Sequence, residues 1–232
     1  MIRKDVLVGL VKAYQQDLDI KNTVPREKQV SVRPKFATII SGIRRCGKSV
    51  LSKQLVQSKH PVYYFNFENV QLAKFEQKDF ARLDDAFKEI LGGGGIYLLD
   101  EVQNISGWEI YVRQLVDRGN AVIVTGSNAT MLSKELGTRL TGRNLRYELY
   151  PFSFTEYLQL KNKKASLKSF EDYFTQGGFV EYVESLDADI LRNLFQDIFY
   201  RDILVRHDVR LESELKQFVA HIAANIGVET SY

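Results

Sequence analysis

Apolar residues near the start recur at Val6, Leu7, Leu10, Val11, Tyr14 and Leu18, the spacing of one helix face. Two prolines and many charges break that rhythm over 20–35, which reads as a linker. From there the period changes. "ATIISG" (37–42) is a short apolar strand, and a helix is expected from about Lys48 to Ser58. "VYYFNFE" (62–68) is rich in β-forming residues. Phe80, Leu83, Phe87, Ile90 and Leu91 mark a second helix, which "GGGG" (92–95) stops. "IYLLDE" (96–101) is a buried strand ending in two acids. Ser106 and Glu109 have capping-box spacing ahead of a helix carrying Trp108, Val112, Leu115 and Val116. "AVIVTGSN" (121–128) is a further buried strand. A helical stretch and a loop with two arginines (129–144) then lead to a last strand, "LRYELY" (145–150). Alternating helices and near-continuous apolar strands predict an α/β fold with a parallel sheet covered on both faces.

After Pro151 the pattern is helical throughout. Ser153 and Glu156 form a second capping box, with Phe152 and Tyr157 placed to staple it. "FTQGGFVEY" (174–182) reads as a tight turn between helices. Ile190, Leu191, Leu194, Phe195 and Ile198 form one stripe; Leu215, Phe218, Val219, Ile222 and Ile226 form another, stopped by Gly227. The expected divisions are 1–34 (helix and linker), 35–152 (α/β core) and 153–232 (a small helical lid).

Composition narrows the function classes. The chain has 232 residues and a net charge of +3, from 32 basic and 29 acidic side chains. So mild a charge gives no support to a nucleic-acid partner. One cysteine, Cys46, allows no internal disulfide, and its place in a glycine motif suits packing better than redox chemistry. His60, His207 and His221 are scattered without metal-ligand spacing. No apolar run approaches the roughly 20 residues that span a bilayer. The expectation is a cytoplasmic protein without a membrane partner.

The strongest chemical signal is "GIRRCGKS" (42–49), which fits G-x-x-x-x-G-K-[ST]. It lies between an expected strand and an expected helix, where a phosphate loop must sit. Gly42, Ile43, Arg44, Arg45, Cys46 and Gly47 would present backbone N–H groups to phosphate oxygens, with Val50 on the first helical turn. Lys48 supplies a point charge to the β- and γ-phosphates, and Ser49 offers its hydroxyl to Mg2+. "IYLLDE" is an independent second half: Asp100 to hold Mg2+, Glu101 to orient or deprotonate the attacking water. Ser127 or Asn128 can reach the γ-phosphate or that water from the next strand end. A GTPase would carry D-x-x-G and N-K-x-D; here Gln103 fills the glycine position, and "NKKA" (162–165) fails at its last. The paired acids favour triphosphate hydrolysis over transfer to a metabolite. Arg139 and Arg143, in "GTRLTGR" (137–143), are placed to reach a neighbour's γ-phosphate in an oligomer, or are surface arginines in a glycine loop. In the helical part, Arg201 of "YRDI" (200–203) is a weaker candidate for sensing the γ-phosphate.

Together these motifs resemble the bacterial and archaeal AAA-type ATPases in which an ATPase core precedes a C-terminal domain of unknown function. The resemblance rests on "SGIRRCGKSVL", "YLLDEVQNISGWE", "VTGSNATMLSKELGTRLTGR", "LYPFSFTEYL", "GGFVEY" and "YRDILVRHDVR". It implies a P-loop NTPase core of AAA+ type, strand order 5-1-4-3-2, a helical lid, and ATP with Mg2+. It carries the phosphate-loop role to Lys48 and Ser49, the acidic roles to Asp100 and Glu101, and the sensor role to Ser127 or Asn128. The finger role falls on Arg139 or Arg143. Family chains continue beyond "NIGVETSY" (225–232), so this one reads as a fragment or truncated product. The function expected is Mg-dependent ATP binding and hydrolysis coupled to movement of the lid or a partner, with homo-oligomers possible. Two alternatives stay open: a switch that holds ATP or ADP without turnover, and the ATPase arm of a nuclease.

Overall fold

The computed structural model describes residues 1–59, 61–127, 140, 142–205, 209 and 211–226. Five strands form the sheet: β1 (Ala37–Ser41), β2 (Val62–Asn66), β3 (Ile96–Asp100), β4 (Val122–Gly126) and β5 (Asn144–Glu148). All pair in parallel, in the order β2-β3-β4-β1-β5. This is the order that the family resemblance implies. Parallel neighbours need crossovers, and α2 (Lys48–Val56), α3 (Asp79–Leu91) and α4 (Trp108–Asp117) supply those between β1 and β4. The inner strands are buried along their length, as their unbroken apolar runs require. β5 is an edge strand, and its exposed positions Arg146 and Glu148 suit that place.

The order has one consequence for chemistry. β4 lies between β1 and β3, with Ser41 opposite Gly126 and Leu99 opposite Val124. The C-terminal ends of β1, β4 and β3 therefore stand side by side. That edge is where α/β sheets bind ligands.

The opening helix, α1 (Lys4–Gln16), is part of the core and not an appendage to it. Leu7, Leu10, Val11 and Tyr14 are buried, and the Tyr14 ring meets Tyr64 and Phe65 of β2. The capping box expected at Ser106 does not form. Gly107, with φ 78°, takes the N-cap position, one residue later than the spacing predicts. Only a residue tolerant of left-handed backbone fits there.

Beyond Pro151 come α5 (Phe154–Lys161), α6 (Leu167–Gln176) and α7 (Val180–Ser185). The second capping box is present: Glu156 N–H donates to Ser153 Oγ, and Ser153 N–H to Glu156 Oε2. Gly177, with φ 74°, closes α6 before the turn into α7. By compactness the chain divides into Met1–Leu186 and Asp187–Tyr232, so these three helices fall in the first unit. The second contains α8 (Ala188–Gln196), a π-helical stretch (Asp197–Val205) and α9 (Glu212–Ala224). Leu194 and Phe199 are its most buried apolar residues, and α9 buries none of its side chains.

Within the first unit one arginine ties the linker down. Arg26 Nε lies 2.8 Å from Glu156 Oε1, with both side chains only 3% exposed. Its Nη1 donates to Cys46 O (2.7 Å), its Nη2 to Tyr150 O (2.8 Å), and its guanidinium lies over the Phe152 ring. Glu27 N–H donates to the same Glu156 oxygen. Burial opposes ionisation of Glu156, but the bonds from Arg26, Ser153 and Glu27 outweigh it and lower its pKa. Removing one partner of a buried pair strands the other. Arg26→Ala should therefore cost about 3–5 kcal/mol of stability, read as a fall in the urea midpoint. Glu156 binds its proton less readily in the folded chain, so its charge stabilises the fold above the ordinary value of 4.5. That contribution is lost as pH falls through the depressed value. Glu156→Gln keeps a capping oxygen and should flatten this part of the acid profile.

Candidate nucleotide site

β1 runs into the glycine loop and the loop into α2, as the motif requires. A Cβ on Gly42 would overlap the Leu149 carbonyl. Gly47 has φ 93°, and a Cβ there would press on the Arg26 guanidinium. Gly42 is required by the close approach of backbone, and Gly47 by its left-handed φ. Leu51 N–H makes the first helical bond, to Gly47 O, which leaves the N–H groups of Lys48, Ser49 and Val50 as the free donors of the first turn. No acidic side chain sits in that turn, so its positive end is open to an anion.

Lys48 is buried, at 5% exposure, and its Nζ donates to Ile43 O at 3.1 Å. Glu101 Oε1 lies 3.6 Å from the same nitrogen. Ser49 Oγ donates to Asp100 Oδ1 at 3.1 Å. The two motifs, separated by some fifty residues in sequence, thus meet at two points. Asp100 is 2% exposed, and burial pushes its pKa up, partly offset by hydrogen bonds from Thr125 and Ser49. A hydroxyl and a carboxylate this close are hard oxygen donors of the kind Mg2+ takes. Among the described residues no cluster of three or more His, Cys, Asp or Glu makes a metal cage.

Thr125 was not among the residues the motifs pointed to. It is fully buried in β4, donates its hydroxyl to Asp100 Oδ1, and accepts from Glu101 N–H at 3.1 Å. The one clue in the sequence is a threonine inside "VIVTG". Gln103 was missed as well; its Nε2 donates to Glu101 Oε2 at 2.5 Å. Glu101 itself has left-handed backbone, φ 51° and ψ 39°. A non-glycine residue in that region stores local strain, which is most often found where function demands a geometry.

Other predicted residues sit less centrally. Ser127 follows β4, and its Oγ is buried without a hydrogen-bond partner among the described residues. Arg44 pairs with Glu68 and Arg45 with Glu181, so both loop arginines have acidic neighbours. Ile43 is exposed, Val50 half-buried on α2, and Cys46 buried, with burial pushing its thiol pKa up. That is a packed thiol, not a reactive one. Arg143 precedes β5 and pairs with Asp117 at the end of α4, so it stands at the sheet edge opposite the loop. It lies away from the glycine loop of its own chain. Arg201 is exposed on the π-helical stretch. Asn128 and Arg139 lie outside the described residues.

The sequence pattern of the AAA domain family matches residues 34–158, more than half of the chain. The chain belongs to that family. AAA domains are nucleotide-binding proteins of the P-loop ATPase type, and the sheet order and glycine loop agree. An uncharacterized protein of Methanocaldococcus jannaschii is 31% identical over 93% of this chain and 53% of its own length. An uncharacterized protein of Haemophilus influenzae is 34% identical over 83% of this chain and 52% of its own. The chain thus spans about half the length of the curated relatives it matches. Among solved structures, C. elegans PCH-2 is similar at 16% identity and a TM-score of 0.39, over 75% of this chain and 47% of that one. No helix among the described residues is long and apolar enough to cross a membrane.

In this AAA domain the Thr125 hydroxyl serves two buried groups at once. Thr125→Val keeps the shape, strands the Glu101 N–H and leaves Asp100 Oδ1 with Ser49 as its donor. It should destabilise the fold by about 1–3 kcal/mol, measured by urea unfolding.

Proposed function

We propose that this AAA-type chain binds ATP with Mg2+ at the β1–α2 loop and hydrolyses it with Glu101. The observation that carries this is the convergence of Lys48 with Glu101 and of Ser49 with Asp100 at one strand edge. Lys48 and the N–H groups of the first α2 turn hold the β- and γ-phosphates. Mg2+ held by Ser49 Oγ and Asp100 would draw charge from the phosphate oxygens. Glu101 accepts a proton from water as the water oxygen bonds the γ-phosphorus and the bond to ADP breaks. Ser127, whose hydroxyl has no partner among the described residues, is available to a γ-phosphate oxygen or to that water.

The helices after Pro151 have a physical link to this loop. Arg26 bonds both the Cys46 carbonyl within it and Glu156 at the start of α5. A loop that shifts with nucleotide state pulls on that arginine, and through it on α5. We infer that this is how hydrolysis reaches the rest of the molecule.

Replacing Lys48 by Ala should abolish ATP binding measured by calorimetry. Glu101→Gln should still bind ATP and lose hydrolysis by about 100-fold or more. Undiminished turnover in the Glu101 variant would remove that residue from its role.

A further inference from the structure

Gln103 holds an unusual position. It sits on the 3-10 turn Val102–Asn104 directly after Glu101, anchored by the fully buried Val102. Its Nε2 donates to Glu101 Oε2 at 2.5 Å. A carboxylate accepts and never donates, so the amide nitrogen must face Glu101, and the orientation of the amide is settled by chemistry. The amide oxygen is what remains. Gln103 Oε1 is buried and has no hydrogen-bond partner among the described residues. Buried acceptors are nearly always satisfied, and an orphan beside a candidate general base is a place for a ligand atom.

The attacking water imposes the matching demand. It carries two protons, and its lone pair must aim at phosphorus. One acceptor leaves it free to swing about a single hydrogen bond; two acceptors fix it. Glu101 is one acceptor, already oriented by Gln103 on Oε2 and held at its backbone by Thr125. We propose that Gln103 is the second: its Nε2 locks the Glu101 carboxylate while its Oε1 accepts a hydrogen bond from the attacking water. The water oxygen bonds the γ-phosphorus, the bond from γ-phosphorus to the bridging oxygen breaks with its electrons leaving on ADP, and one water proton passes to Glu101. The other proton stays on the new phosphate, held toward Gln103 Oε1 until release. Glu101 then gives its proton to solvent or product, so the sum is ATP and water to ADP and phosphate.

This inference rests on the hydrolytic role proposed for Glu101, and the test separates the two. Gln103→Leu keeps the side chain's bulk and removes both polar atoms. With Mg-ATP as the probe, kcat should fall about 10- to 100-fold, while the dissociation constants for ATP and ADP stay within about twofold. A merely structural role would weaken binding and turnover together, and that result overturns the proposal, as does an unchanged kcat. If Gln103→Leu does not fold, Gln103→Ala carries the same readouts. A wild-type chain that binds ATP without turnover overturns the hydrolytic function itself; a turning-over wild type matched by its Gln103 variants overturns only the role of Gln103.

Discussion

Asp100 is an ionisable group at the end of an apolar strand, almost sealed from water. A carboxylate in that setting must find donors or lose its charge. It finds two, the hydroxyls of Thr125 and Ser49, from a strand and a helix far away in sequence. The order β3-β4-β1 brings both there, with Thr125 on the strand beside β3 and Ser49 on the helix that follows β1. The same Thr125 oxygen receives the Glu101 N–H, so the kink that turns the chain out of β3 is fixed by that hydroxyl too. Strand order, buried charge and strained backbone are thus one mutual constraint.

A second constraint comes from behind the loop. Arg26 is as buried as a core leucine and has its donors directed to three separate parts of the first unit. A buried ion pair is weak evidence for stability, since desolvation consumes much of its attraction. Its value here is geometric. The guanidinium stands against Gly47, where any side chain would displace it, and grips the carbonyl just before. The glycine loop is therefore backed by a charged group whose counter-ion belongs to α5.

Much of this was legible beforehand. The strands, the glycine loop, the acids of "IYLLDE" and the Ser153 capping box all stand where local pattern places them. The same reasoning failed at Ser106, because two polar residues at the right spacing cannot reveal that a glycine between them will take the cap. It also set the first helix and linker apart from the core. Amphipathic periodicity shows which face of α1 is apolar, not that β2 and α3 will cover it. Strand order came from family resemblance, and Thr125, Gln103, Arg26 and Glu156 went unnoticed as members of the site.

The sequence by itself determined the elements, the glycine loop and the identity of the paired acids. Those features depend on neighbours a few positions apart, where backbone geometry leaves little choice. Tertiary structure alone decided that Thr125 would reach across 25 residues to Asp100, and Arg26 across 130 to Glu156. Such contacts depend on sheet register and on how buried polar groups share donors. No local pattern encodes them, because each partner looks ordinary until the fold removes its water.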